Sequence, residues 1–254
     1  MINDLSVDFD VIVIGGGSAG YAAARTVASG GLKTAIIDGA PQLGGLCILR
    51  GCMPAKALLF SSEILHYARN AAVFGVKVSD ARPDFQAVMA RKNRLIADFA
   101  SYRVGQLESD RFTLFRSQAR FLDSHTVVLS DGRRITSNSF VIATGSVVSP
   151  PPYPGLVEVG YWTSDEALEA KSLPKSLIVL GGGAVALEFA QFYQRMGTQV
   201  TVVQRSGQVL KEEDADTAEA IQKTLRREGV ELHTGTQVTR VTRDEGLKDR
   251  KSVV

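Results

Sequence analysis

The sequence predicts an α/β protein with two doubly wound, three-layer domains, the second of them incomplete, and an antiparallel β flap added to the first. Three observations predict this class: a repeated unit of strand, glycine turn and helix, a long amphipathic segment between the two copies, and a run of short strands after that segment. The length of 254 residues suits two domains, and 44% hydrophobic residues supply a core for each.

The charge balance and the N-terminal sequence indicate which kinds of partner and which location to expect. Lys and Arg total 29 against 27 Asp and Glu, with no basic tract, so we expect neither nucleic acid nor an anionic membrane as partner. The first ten residues are acidic, which is not typical of a secretory signal, and no window reaches the roughly 18 apolar residues of a membrane span. We therefore expect a cytoplasmic protein that acts on a small molecule.

The internal repeat defines the first elements of each domain. Residues 11–39 align with residues 177–205 at an offset of 166. In each copy a buried strand enters a three-glycine turn, a helix follows and ends at a glycine, and a second strand comes next. The predicted elements are strands 11–14, 34–37, 177–180 and 199–203, helices 18–29 and 184–196, and helix C-caps at Gly31 and Gly197.

The segment between the two copies is predicted to hold two helices and then short strands. Residues 54–70 read as one helix, and Phe85, Val88, Leu95, Phe99 and Tyr102 recur at the spacing of one helix face. The short strands are predicted at 112–115, 119–122, 126–129 and 140–143, as an antiparallel flap on a parallel sheet.

A proline-rich segment, residues 149–155, reads as a rigid and extended connection between domains. We place the boundary there, which predicts a first domain of residues 1–149 and a second, partial domain of residues 150–254.

The first glycine turn predicts a dinucleotide site. Gly15-x-Gly17-x-x-Gly20 lies between a strand and a helix, where the backbone approaches a pyrophosphate at the helix N-terminus. Asp38 follows Gly15 by 23 residues, at the end of the next strand, where a carboxylate binds a ribose hydroxyl. The alternative is tight packing of helix on strand without a ligand, which does not call for an acid at this position.

The second glycine turn predicts a different nucleotide. Residues 181–186 read Gly-x-Gly-x-x-Ala, an allowed variant, and Gln204 stands at the position equivalent to Asp38. Arg205 and Lys211 lie nearby, and a guanidinium in place of the carboxylate suits a 2′-phosphate, which favours NADP over NAD. The alternative is that both cations are solvated surface charges.

The two cysteines of the chain are predicted to act together. Cys47 and Cys52 are five positions apart, and Pro54 places Cys52 at or near a helix N-terminus, where the helix dipole stabilises a thiolate. Four intervening residues allow the two Cα atoms to approach to about 6 Å, so a redox disulfide is geometrically reasonable. The alternatives are two buried apolar thiols and, less well supported, a zinc site, since no second Cys or His pair supplies the other ligands.

The combination of motifs resembles a known family. Gly44-Gly45-x-Cys47-x4-Cys52-x-Pro54-x-Lys56 after the first glycine turn, then Ala143-Thr144-Gly145 and a second glycine turn, is similar to the FAD-dependent pyridine nucleotide-disulfide oxidoreductases. The resemblance runs from about residue 10 to residue 240, and includes the dihydrolipoyl dehydrogenase, glutathione reductase and mercuric reductase branches.

The resemblance implies two Rossmann-like domains and a set of site residues. It implies that Cys52 lies beside the flavin, that Cys47 exchanges with the substrate, that Lys56 pairs with Glu188, and that electrons pass from NADPH through FAD to the cysteine disulfide. The residues implied to bind FAD are Gly15, Gly17, Ser18, Gly20, Asp38, Gly45, Ala119, Thr144 and Gly145. Those expected to bind NADP are Gly181, Gly183, Ala186, Arg205 and Lys211.

The resemblance leaves the electron acceptor and the assembly open. A disulfide is the leading acceptor, a mercuric-type metal ion is the first alternative, and a non-catalytic nucleotide-binding fragment is the second. Family members are nearly twice as long and form homodimers through a domain that carries a His-Glu base pair. None of the three histidines of this chain has a glutamate at the spacing that the family uses.

Overall fold

The structure is a computed structural model, which describes residues 7–149 and 151–243 together with the backbone of residues 250–253. Pro150 of the predicted connection and the first six residues lie outside the described residues. The chain divides into two compact units, residues 1–53 with 95–147 and residues 54–94 with 148–254. One change of unit, at Val147, adjoins the proline-rich segment. The assignment of the two halves to FAD and to a nicotinamide nucleotide stays a prediction.

The first unit is built on a six-stranded mixed sheet. Its order is β3-β2-β1-β6-β5-β4. The strands are β1 (Phe9–Ile14), β2 (Thr34–Ile37), β3 (Thr113–Phe115), β4 (Ala119–Phe121), β5 (Thr126–Leu129) and β6 (Arg134–Ile142). The central strand β1 is parallel to both β2 and β6, and its apolar residues are buried because helices cover a parallel sheet.

The predicted flap is smaller than the sequence suggested. β3 pairs parallel with β2, so it belongs to the parallel sheet and not to the flap. β6 begins at Arg134, antiparallel to β5, and continues parallel to β1, which makes it longer than the predicted strand. Only β4, β5 and the start of β6 form the antiparallel flap. Strand pairing is a long-range property, and local turn signals do not report it.

Helices connect these strands at the predicted places. They are α1 (Ser18–Ser29), α2 (Gly45–Leu49), α3 (Cys52–Arg69) and α4 (Phe85–Leu107). The boundary between the units falls within α3 and within α4. α1 has its C-cap at Gly30, one residue before the predicted cap, and Gly31 follows with a φ of +81°. α2 was not predicted.

The predicted apolar face of α4 is correct only in its first half. Phe85 is buried and Val88 packs against the same core, whereas Phe99 and Tyr102 are exposed. Ala100 and Leu107 are buried in the second half instead, because that half belongs to the first unit, where Leu107 packs in the core. A single 3.6-residue stripe does not describe a helix that contributes to two cores.

The second unit repeats the parallel architecture with four strands. Its order is β10-β7-β8-β9, with every pair parallel. The strands are β7 (Ser176–Leu180), β8 (Gln199–Val203), β9 (Glu231–His233) and β10 (Arg250–Val253), and the helices are α5 (Leu156–Val159), α6 (Ser164–Leu168), α7 (Ala184–Met196) and α8 (Ala215–Arg227). α7 has the predicted bounds and ends at Gly197, whose φ is +108°.

A buried lysine and a partly buried arginine hold elements of this unit together. The Lys92 side chain, on α4, is 2% exposed, and its Nζ atom donates to the Leu168 carbonyl at 2.6 Å and to Glu169 at 2.8 Å. Arg195 donates to both carboxylate oxygens of Glu228 at 2.8 and 2.7 Å. Burial acts to raise the pKa of Glu228, but the Arg195 hydrogen bond and charge, helped by other neighbours, lower it overall.

Candidate functional site

The first glycine turn is shaped by positions that exclude a side chain. Gly15 has a φ of +103°, and a Cβ placed on it would lie 2.2 Å from the Ala143 carbonyl oxygen. A Cβ on Gly20 would lie 1.7 Å from the Gly15 carbonyl oxygen, so α1 begins directly against the end of β1. These contacts explain why glycine is required at both positions.

Asp38 lies beside the same turn. Its carboxylate accepts hydrogen bonds from the backbone N–H groups of Gly16 and Ala40, both at 2.8 Å. β2 brings the acid to this place, because Ile37 pairs with Ile14 at the carboxyl ends of the two parallel strands. The sequence predicted Asp38 at the turn, and its contact with Gly16 was not anticipated.

The turn forms an open cradle in the first unit. α1 starts at Gly17 with no side-chain cap, which leaves backbone amides for an anion. A Cβ on Gly45 would lie 2.4 Å from the Gly17 Cα atom, so the loop before α2 closes on the turn. Ser18 and Thr144 are exposed around it. Glycines at the points of closest approach fit the pyrophosphate of a dinucleotide such as FAD.

The other predicted FAD-binding residues lie on the flap and after β6. Thr144 and Gly145 directly follow Ala143, which contacts Gly15. Ala119 begins β4 next to Gln118, whose backbone nitrogen lies 2.6 Å from the position of a Cβ on Gly39. Their roles toward FAD stay predictions.

The two cysteines lie on consecutive helices, the short α2 and the long α3. Cys47 is half-buried in α2, and Cys52, which is exposed, is the first residue of α3, as predicted. The structure holds both as thiols. Gly51 folds back so that a Cβ on it would lie 3.3 Å from the Cys47 Cα atom. The return of the chain at this point is what a bridge between the two cysteines requires.

The predicted pairing of Lys56 with Glu188 is present within the second unit. Nζ of Lys56, on α3, lies 2.5 Å from Oε1 of Glu188, on α7. The two residues are 132 positions apart, so only the fold brings them together. The catalytic role that the resemblance implies for this pair stays a prediction.

The second glycine turn repeats the first with one chemical change. Gly181 has a φ of +110° and α7 starts at Gly183 without a side-chain cap. The middle glycine, Gly182, contacts Gln204 as Gly16 contacts Asp38. Gln204 is 8% exposed and donates from Nε2 to the Gln208 carbonyl. An amide therefore stands where the first copy has a carboxylate.

The predicted cations of the second turn lie on the loop after β8. Arg205 is exposed, and Lys211 pairs with Glu212 at 2.9 Å on the surface. Ala186 is half-buried on α7, where its Cβ replaces the packing glycine of the first copy. Sequence reasoning missed the loop residues 209–210, which contact Gly182. The 166-residue offset could have found them, because it aligns them with Leu43 and Gly44.

Three features of the described residues concern the histidines, metal binding and membrane-spanning helices. His233 pairs with Glu231, two residues away on β9, at 2.9 Å. Within the described ranges, no three His, Cys, Asp or Glu side chains cluster as a metal site. No helix among those residues has the length and apolar character to cross a membrane.

Comparisons with known proteins agree with the motifs. A sequence profile of the pyridine nucleotide-disulphide oxidoreductases matches residues 9–254. The mercuric reductase of Bacillus cereus is 36% identical over 95% of this chain and 38% of its own length. The dihydrolipoyl dehydrogenase of Chlorobaculum tepidum is 36% identical over 98% of this chain and 54% of its own length.

A solved structure supports the fold. The HOCl-induced flavoprotein disulfide reductase RclA of Escherichia coli matches with a TM-score of 0.80 and 27% identity, over 96% of this chain and 55% of that one. A Cu(II) complex of RclA matches with a TM-score of 0.79. The chain spans about half, or less, of the length of these relatives.

Proposed function

The chain belongs to the pyridine nucleotide-disulphide oxidoreductase family, and from this premise we propose that it passes electrons from NADPH, through FAD, to a Cys47–Cys52 disulfide and on to a disulfide acceptor. The same path of electrons applies whether the acceptor is a small disulfide, as for a dihydrolipoyl dehydrogenase-like enzyme, or the disulfide of a small protein. When bound, FAD supplies a two-electron carrier between the nicotinamide and the cysteine pair.

One observation carries this proposal. α2 bears Cys47 and begins at Gly45, and Gly45 packs on Gly17 of the first glycine turn. From this packing we infer that the nucleotide cradle and the cysteine segment form one site within the first unit. A purely structural glycine turn has no need for two thiols on the segment that closes it.

The chain's own residues would perform three tasks. The uncapped amides at the start of α1 bind the pyrophosphate, and Asp38 binds the adenosine ribose. Two electrons and two protons convert the Cys47–Cys52 disulfide into two thiols, and thiol–disulfide exchange then reduces the acceptor and restores the original disulfide. The first turn of α3 stabilises the Cys52 thiolate, because the free amide groups and the dipole at a helix N-terminus favour an anion.

The second unit would bind the nicotinamide nucleotide. Gly181 and Gly183 would hold its pyrophosphate, and Arg205 and Lys211 would bind a 2′-phosphate, which supports NADP rather than NAD. Gln204 adds to this argument, because a buried amide at the ribose position presents no negative charge to repel a phosphate.

Anaerobic reduction of the purified chain reconstituted with FAD tests the proposal. Two electrons per flavin should produce a long-wavelength absorbance band from the flavin facing the Cys52 thiolate. The Cys52→Ser variant should never show the band. The matched Cys47→Ser variant has no disulfide, so its Cys52 thiolate should give the band before any reduction, and two electrons should then bleach the flavin and abolish it. Direct bleaching of the flavin without such a band in the parent chain would refute the proposal, and a colourless chain that binds no FAD would favour the non-catalytic nucleotide-binding fragment.

A metal-ion acceptor is the second candidate. Mercuric reductases are among the relatives at 36% identity, and an RclA structure is a Cu(II) complex. Thiolates are soft ligands that suit Hg(II), and Cys47 and Cys52 are the only cysteines of this sequence. NADPH oxidation that depends on Hg(II) and disappears in Cys47→Ser would favour this candidate over the disulfide.

The domain assignment and the assembly are proposals of the same kind. We propose residues 1–149 as the FAD-binding part and residues 150–254 as the nucleotide-binding part of a homodimeric enzyme. Sedimentation of the purified chain measures the oligomeric state directly.

A further inference from the structure

Leu210 has a backbone conformation that leucine rarely adopts. Among the described residues, the non-glycine residues with positive φ are Asp80, at +62°, and Leu210, at +46°. Aspartate tolerates this region because its short polar side chain bonds locally, whereas a leucine Cβ crowds the following carbonyl oxygen. A strained residue of this kind persists only where surrounding contacts impose it.

The contacts that impose this conformation involve the second glycine turn. The N–H group of Leu210 donates to the Gly182 carbonyl oxygen at 2.8 Å, and the Leu210 carbonyl accepts from Glu213 N–H at 2.8 Å. The preceding residue, Val209, is fully buried, and its Cγ1 atom lies 3.1 Å from the position of a Cβ on Gly182. The loop is thus fastened to the turn immediately before Lys211.

The first copy of the repeat has a corresponding loop, in which a glycine occupies the position with positive φ. At the 166-residue offset, buried Val209 corresponds to buried Leu43, and Leu210 corresponds to Gly44, whose φ is +132°. The next residue in the first copy is Gly45, which packs on Gly17, and its counterpart in the second copy is Lys211. In the first copy, a buried apolar residue and a residue with positive φ therefore direct the following residue toward the glycine turn. The second copy has a cation, Lys211, at that following position.

We propose that Leu210 is a positioning residue for the nucleotide: its left-handed backbone places Lys211 beside the second glycine turn, where the ammonium group meets the 2′-phosphate of NADPH. The proposal rests on the proposed function and deepens it. Leu210 itself touches no reacting atom, and its effect passes through the Lys211 cation.

Two substitutions at Leu210 separate backbone conformation from side-chain packing. Leu210→Val keeps an apolar side chain, but a β-branched residue resists positive φ; Leu210→Gly loses the side chain and adopts positive φ freely. We expect Leu210→Val to raise the Kd for NADPH about tenfold and Leu210→Gly to raise it less than about threefold, by calorimetric titration of the purified chain. If packing alone mattered, Leu210→Gly would be the weaker binder.

The same titrations with NADH report whether Lys211 is the intermediary. NADH lacks the 2′-phosphate, so its Kd should change by less than about twofold in Leu210→Val. In a Lys211→Gln background, Leu210→Val should raise the NADPH Kd by no more than about a further twofold. Both changes act through the contact of Lys211 with the 2′-phosphate, so their effects are not additive. Thermal unfolding checks each variant, and Leu210→Asn, which tolerates positive φ, replaces Leu210→Gly as the conformational control if the glycine variant unfolds.

The outcomes distinguish two failures. A parent chain that binds neither NADPH nor NADH would overturn the proposed function, and this inference with it. A parent chain that binds NADPH would overturn this inference alone if both nucleotides weaken equally in Leu210→Val, or if the glycine variant binds more weakly than the valine variant.

Discussion

Replacing Gly20 with alanine places a methyl group 1.7 Å from the Gly15 carbonyl oxygen, where neither atom has room to move independently. An ordinary contact needs about 3.4 Å, so the start of α1 and the end of β1 must separate by about 1.7 Å. Overpacking of this kind costs about 1–3 kcal/mol, and alanine regains up to about 1 kcal/mol of helix propensity. We therefore expect a net loss of about 2 kcal/mol in the free energy of unfolding.

Urea denaturation followed by far-UV circular dichroism measures this loss. With a slope of about 2 kcal/mol per M, the midpoint of the first unit should fall by about 1 M. FAD affinity should fall at least about tenfold, since the displaced Gly15 belongs to the cradle. Gly105→Ala is the matched control: no atom lies within 4 Å of its Cβ position, so it should stabilise α4 by about 0.5–1 kcal/mol.

Equal behaviour of Gly20→Ala and Gly105→Ala would refute the steric argument. The second copy gives an internal reference, because Ala186 already occupies the position of Gly20 there. The Ala186→Gly change should therefore cost helix propensity, about 1 kcal/mol, together with the packing of one half-buried methyl group.

Three further predictions concern single side chains. Glu228→Gln should cost about 3 kcal/mol at pH 7, since it leaves the Arg195 guanidinium, whose side chain is only 15% exposed, without a charged partner. The pKa of Glu228 is lowered on folding, so the stability that its carboxylate contributes is complete above the ordinary value of 4.5 and is lost as the pH falls through the lowered pKa. The difference in urea midpoint between variant and parent should therefore be smaller at about pH 3 than at pH 7. A difference that stays constant with pH would contradict this assignment. Asp38→Asn should raise the Kd for FAD about tenfold in flavin fluorescence titrations, and unchanged binding would remove Asp38 from the ribose site. Lys92→Met keeps most of the buried volume but leaves the Leu168 carbonyl without its donor, so unfolding free energy from urea titration should fall by about 1–3 kcal/mol; an unchanged or higher value would show that the apolar replacement compensates.

Much of the local structure was predictable because short-range rules decide it. α1 and α7 have their predicted bounds, since in each copy a glycine turn precedes the helix and a glycine follows it. β2 and β8 also match, because an apolar run bounded by turn residues specifies a buried strand.

The errors have a common origin in long-range pairing and packing. β3 was assigned to the flap, although it pairs parallel with β2, 78 residues earlier in the chain. Phe99 and Tyr102 were assigned to a buried face and are exposed, because α4 changes from one core to another along its length. Neither fact is encoded in a window of neighbouring residues.

The sequence by itself determined the family, the two glycine turns and the identity of the chemical groups in the site. Motifs of this kind are readable because a glycine supplies positive φ and close approach, a cysteine supplies a thiolate, and an acidic residue supplies a charge for the ribose. Only the tertiary structure decided that β3 joins the parallel sheet beside β2 and that Leu210 is held against Gly182 in a strained conformation. These contacts join residues far apart in the chain, and their geometry exists only once the sheets and helices have packed.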